Sequence, residues 1–180
     1  MKTRTLILTA LFAALTAIGA FLKIPTPISS FTLQVFFTSM AGVLLGAKYG
    51  ALSQAIYVLL GLVGLPIFTA GGGLTYVFNS TFGFLLGLIP MAAVIGLLVD
   101  KLGTSFWSIC AACLAGLAVL YAIGLPYMHY ILAVYLQKDW SIRQTIMGGM
   151  VIFLPWDMLK IVVTGLLGAK LVPLLQKAHP

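Results

Sequence analysis

Two ionised residues, Asp157 and Lys160, interrupt the otherwise apolar stretch VIFLPWDMLKIVV at 151–163. Their i, i+3 spacing places both on one face of a helix, so a carboxylate acceptor and an ammonium donor stand side by side. The chain has only three acids, Asp100, Asp139 and Asp157. Asp100 precedes Lys101 and Asp139 follows Lys138, the pattern of solvated charge at helix ends. Asp157 is therefore the one candidate for a buried carboxylate.

A single buried carboxylate excludes much chemistry. Intramembrane aspartyl catalysis, two-metal phosphoryl transfer and retaining glycosyl transfer each need carboxylates in pairs. No HExxH and no metal-ligand set occur, so no metal is expected. His129 and His179 lie in an expected outer loop and near the C-terminus, which leaves no base for a serine nucleophile. The AGGG at 70–73 lacks the Lys-Ser/Thr of a phosphate loop, so ATP hydrolysis is not expected of this chain. That AGGG is either a flexible turn or a place where backbone approaches a ligand. Cys110 and Cys113 have no second pair nearby and read as small apolar packing residues.

The elements that must hold Asp157 and Lys160 follow from composition. Of 180 residues, 62% are hydrophobic and 7% charged, with a mean hydropathy of +1.15. A soluble domain is roughly half apolar and about a quarter charged. So few charges cannot cover a water-exposed globule, and the chain reads as a polytopic membrane protein in contact with the lipid bilayer. The net charge of +7 comes from basic residues spread singly, which argues against a nucleic-acid partner.

An all-α bundle of six membrane-spanning helices in a single domain, 1–180, is expected. The spans are drawn at Thr5–Leu22, Leu33–Gly46, Gly50–Gly64, Ser80–Val99, Thr104–Gly124 and within Ser141–Leu175. The second is short for a full crossing. The N-terminal segment reads as a retained span and not as a cleaved signal. The last region exceeds a bilayer and must tilt, protrude or break at Pro155. With the N-terminus inside, Lys2, Arg4, Lys48, Lys101, Lys170 and Lys177 fall on the inner side, and Lys23, Lys138 and Arg143 on the outer. This bias places both termini in the cytoplasm. The outer connections, KIPTPISSF, LPIFTAGGGLTYVFN and LPYMHYILAVYLQKDW, are longer and richer in Pro, Gly and aromatics than the inner AKYG and DKLG. Elaborate loops on one face point to an outward-facing binding site.

Counting from Lys170 and Lys177 at 1.5 Å per residue puts Asp157 about 20–30 Å above the inner surface, in the outer half of the bilayer. A buried ion pair adds little net stability, and charge inside a membrane usually marks a pathway or ligand site. Helix packing by mutual neutralisation remains the alternative.

Three stretches, PTPISSFTLQ (25–34), GLVGLPIFTAGGGLTYVFNSTFGFLLGLIP (61–90) and FLPWDMLK (153–160), resemble the BioY family, the biotin-specific substrate-binding S components of energy-coupling factor (ECF) vitamin transporters. The resemblance covers most of the chain. Where the family shows GPTGGYL, this chain has NSTFGFL, with Asn79 and Ser80 for Gly-Pro and Phe84 for Tyr. The resemblance implies a multi-pass protein of a prokaryotic cytoplasmic membrane that binds biotin from outside. It implies partnership with a transmembrane coupling protein and two cytoplasmic ATPases, and no catalysis or cofactor of its own.

Biotin's ureido ring needs an acceptor for N–H, a donor for C=O and apolar walls. On this reading Asp157 accepts a ureido N–H, Lys160 donates to the ureido oxygen and Asn79 completes the ring contacts. Gln34 joins the substrate-binding set, and Phe31, Phe68, Tyr76 and Trp156 are the candidate walls. Lys160 could instead hold the tail carboxylate, a role for which Lys23 is a rival. Pro25, Pro27, Ser29 and Ser30 form a candidate gate loop. Ala10, Ala13, Ala14 and Ala17 are candidates for docking on the coupling subunit, or for packing within the bundle. Three rival functions are an S component for another vitamin, a small membrane enzyme, and a stand-alone channel or carrier.

Overall fold

The computed structural model describes residues 3–25 and 30–177. Its helices follow from long apolar runs in which every backbone polar group is satisfied within the segment, as lipid demands. In chain order they are α1 (Thr3–Phe21), α2 (Gln34–Leu62), α3 (Phe82–Leu102), α4 (Phe106–His129), α5 (Ile142–Ile146) and α6 (Leu154–Lys177). Among the described residues, five stretches are long and apolar enough to cross a membrane: Thr3–Phe21, Gln34–Leu62, Phe82–Leu102, Phe106–Tyr135 and Ile142–Leu175.

The second of these absorbs two expected spans. Helical geometry in α2 fails at Gly46, whose φ of 73° and ψ of −179° suit glycine. The chain reverses there. Thr38 Oγ1 donates to Gln54 Oε1 at 2.9 Å, and Gln34 Nε2 donates to Tyr57 Oη at 2.8 Å. These pairs, far apart in sequence, fix the two halves side by side and antiparallel. The turn is tighter than the expected AKYG, whose residues are already helical.

Gln54 also binds α1, its Nε2 donating to Thr16 Oγ1 at 3.2 Å. Thr16, Thr38 and Gln54 are wholly buried. A buried amide costs free energy unless bonded, so this cluster holds α1 in register with both arms of α2. Gly96 of α3 abuts the reversal: a Cβ there would collide with the backbone of Gly46 and Ala47. The α2 turn thus lies flat on α3 because Gly96 has no side chain.

Three expectations need correction. KIPTPISSF is not only a loop, since β1 (Lys23–Pro25) and β2 (Ser30–Thr32) pair antiparallel with Ile24 opposite Phe31. Much of the expected outer connection after Gly124 is helical. The α4 helix runs on past Pro126 and, through a π-helical segment Tyr130–Tyr135, ends near Gln137, whose φ is 49°. Third, the break near Pro155 arises just upstream of it. A capping box of Ser141 and Gln144 starts α5, a π-helical segment Met147–Val151 follows, and α6 begins at Leu154. Pro155 occupies the first turn of α6, where its missing N–H leaves no bond unmade.

Candidate functional site

Asp157 lies one residue after Trp156 in the first turns of α6, and its side chain is 5% exposed. Two donors hold it. Lys160 Nζ approaches Oδ1 at 2.8 Å, as helical i, i+3 spacing permits. Tyr121 Oη, reaching across from α4, donates to Oδ2 at 2.6 Å. A charge-assisted bond of this kind is about twice as strong as a neutral one. The carboxylate and ammonium therefore pair with each other across one turn, and a phenol that sequence reading missed joins them.

The three residues line one cavity. Its apolar wall comes from α3 and α4, through Phe84, Leu85, Leu88 and Leu120. Gln34 and Val35 of α2, Gly149 of the π-helical segment and Phe153 complete the sides. Ser30 and Thr32, alternate residues of β2, cover the cavity, and Thr69 and Thr81 add hydroxyls at the edge. The cavity holds about 80 Å³, well below the roughly 300 Å³ at which ligand pockets begin. Entry of a ligand requires these walls to part.

The cover is itself tied down. Phe31 packs on Phe153 with ring centroids 4.7 Å apart and on Trp156 at 5.9 Å. Lys23 donates to the Thr69 carbonyl, clamping the hairpin to the 63–73 loop. Thr69 in turn shares a 3.0 Å hydrogen bond with Tyr76 Oη. That loop is seated by Phe68, which is 1% exposed and lies against Gly61, where any side chain would displace its ring.

The other sequence candidates take places around this shell. Gln34 reaches the cavity wall, with Oε1 accepting from Thr32 Oγ1 at 3.0 Å. Asn79 does not line the cavity; its Oδ1 accepts from Thr81 N at 2.9 Å and Thr81 Oγ1 at 2.8 Å, a local turn that starts α3. Phe68 and Tyr76 pack on each other behind Thr69 at 4.7 Å. Trp156 is 47% exposed, is not among the residues lining the cavity, and packs on Phe31. Of the gate candidates, Pro25 and Ser30 face each other in the hairpin, and Pro27 and Ser29 lie outside the described residues. Of the alanines, Ala10 and Ala14 are exposed, Ala17 is half-buried and Ala13 is 5% exposed. Ala13 packs into the bundle and cannot belong to an outward docking face.

Sequence reasoning missed Tyr121, Phe153, Thr69 and Thr81. Tyr121 alone carried a signal, a hydroxyl in the middle of the apolar run LAVLYAIGL.

A carboxylate and an ammonium fixed one turn apart, facing aliphatic and aromatic walls, complement a small ring that carries N–H and C=O together. Known proteins share this architecture. The sequence matches the BioY family over residues 1–177. It is 41% identical over 179 residues to a protein of Lysinibacillus sphaericus named probable biotin transporter BioY, covering 99% of this chain and 91% of the relative. It is 41% identical over 169 residues to the biotin transporter BioY of Thermotoga maritima, covering 93% and 95%. The crystal structure of the S-component for biotin from an ECF-type ABC transporter superposes with a TM-score of 0.82 at 26% identity, covering 94% of this chain and 91% of that one.

Proposed function

The chain belongs to the BioY family, and on that premise we propose that it captures biotin from the outer side of the cytoplasmic membrane for uptake. It is a transporter subunit and not an enzyme. The observation that carries this reading is the Asp157–Lys160 pair in the wall of a small cavity, held by Tyr121. Asp157 accepts a ureido N–H, Lys160 donates to the ureido oxygen, and Phe84, Leu85 and Leu88 receive the thiophane ring. Gln34, through its amide, borders the ligand. Asn79, Tyr76 and Phe68 support the rim, and Trp156 supports the lid from outside. Lys23, already committed to the rim, is the weaker candidate for the tail carboxylate.

The arrangement we propose in the membrane is a single domain of six crossings, with both termini cytoplasmic. The reversal at Gly46 supports the count, and the inner excess of Lys and Arg supports the orientation. Energy comes from two ATPases through a transmembrane coupling protein, onto which α1 docks by the exposed Ala10 and Ala14. Titration calorimetry of the purified protein in nanodiscs tests the ligand. We expect one biotin bound per chain and no binding of riboflavin or thiamine. Selective binding of another vitamin would make it an S component of that specificity.

The hairpin β1–β2 is the gate. Its hold on α6 is the Phe31 contact, and an aromatic pair contributes about 0.5–1.5 kcal/mol beyond its burial. Phe31→Ala should raise the rate of biotin release by roughly tenfold, read by exchange of labelled biotin. An unchanged rate removes the hairpin from the exit path.

A further inference from the structure

On the biotin reading above, we propose that Tyr121 is a positioning residue for ligand recognition, its hydroxyl setting the Asp157 carboxylate in the orientation that receives the ring N–H. An ionised carboxylate offers about four lone-pair positions on two oxygens. Lys160 takes one on Oδ1 at 2.8 Å and Tyr121 one on Oδ2 at 2.6 Å. With a donor on each oxygen, from two different helices, the carboxylate plane cannot turn. Each oxygen keeps one position for the ligand. Without Tyr121 the group is tethered only by Lys160, on its own helix, and is free to rotate toward the ammonium.

Tyr121 is itself held by packing. It is 7% exposed, and its ring meets Phe84 edge-on with centroids 6.4 Å apart and planes at 88°. It also separates two spaces. One side borders the cavity holding Asp157, and the other borders an apolar groove of about 710 Å³ between α4 and α5–α6. The phenol thus aims the carboxylate and screens it from that groove.

The titratable side chains lining the cavity with Asp157 are Lys160 on α6 and Tyr121 on α4. The hairpin, α2 and α3 contribute neutral groups among the described residues, and Lys23 is engaged by the Thr69 carbonyl. Removing the phenolic donor leaves Lys160 as the hydrogen-bond partner of the carboxylate among the described residues.

The test is biotin titration in nanodiscs of Tyr121→Phe and of a variant carrying fluorotyrosine at position 121. We expect affinity about tenfold lower at neutral pH, as loss of a bond to a charged group implies. Fluorotyrosine at position 121, which keeps the donor, should bind biotin at least as tightly as the parent, so that the loss follows the hydrogen bond and not the ring. Unchanged affinity of Tyr121→Phe, or a loss with fluorotyrosine as large as that of Tyr121→Phe, assigns Tyr121 to packing and overturns the proposal. Absence of biotin binding by the parent chain overturns the functional reading and this proposal with it. Binding by the parent with no effect of either change overturns this proposal alone.

Discussion

Asp157→Asn should lower biotin affinity by about a hundredfold, the range expected when a charge-assisted bond is lost and a neighbouring charge is left unmatched. The amide keeps one oxygen and gains a donor that faces the incoming N–H, so attraction becomes repulsion at the ring. The same change strands the Lys160 ammonium, 11% exposed, without its counter-charge. Breaking one side of a buried pair costs roughly 3–5 kcal/mol of stability, so the single variant also melts earlier. The paired variant Asp157→Asn with Lys160→Met separates the two effects. It removes both charges, restores stability toward the parent and still binds poorly. Calorimetry with biotin and thermal unfolding of the three proteins decide the matter. Affinity within threefold of the parent in the paired variant would falsify the role given to Asp157.

Replacing Ala10 and Ala14 together by Leu should abolish biotin uptake in cells that supply the coupling protein and ATPases, while biotin affinity of the purified chain stays within about twofold. Both positions are exposed and lie one turn apart on α1, between Leu6, Ile7, Leu11 and Ile18, which are exposed as well. Small residues in such a row let helix backbones approach closely in lipid, where packing replaces the hydrophobic drive. A leucine there holds the partner helix away. Because neither alanine touches the bundle interior, folding and ligand binding are unaffected. Ala13→Leu is the informative control. At 5% exposure it points into the core, so it lowers stability instead of uncoupling transport. Uptake preserved in the Ala10/Ala14 variant would place the docking surface elsewhere.

These two expectations differ in how visible their residues were. Asp157 and Lys160 could be found from sequence because charge is rare in this chain and expensive in lipid. Their spacing then fixed their common face without any knowledge of the fold. Tyr121 was hidden for the opposite reason. A tyrosine carries no charge and is common near membrane surfaces, and its partnership depends on how α4 meets α6. The short β-strands were equally hidden, since three residues each give no alternation to read. Asn79 shows a further limit. Its polarity marked it, but polarity does not distinguish a ligand contact from the turn it makes with Thr81. The reversal of α2 was legible to within a few residues, because glycine permits a sharp turn wherever it occurs and Gly46 and Gly50 compete for the role. Small residues on α1 were legible as a stripe, yet which of them face outward depended on the α2 hairpin that packs beneath.

The pairing of Asp157 with Lys160 has an electrical consequence. Moving one elementary charge through a membrane potential takes about 2.3 kcal/mol per 100 mV. With the two charges locked 2.8 Å apart, the recognition site contributes none of that work however far it travels relative to the bilayer. Voltage can act only on the ligand's own charge. The site's own rearrangement is in that sense indifferent to the energised state of the membrane, while inward delivery of a ligand with an ionised carboxylate works against an inside-negative potential, a cost that the partner subunits of our reading would have to meet.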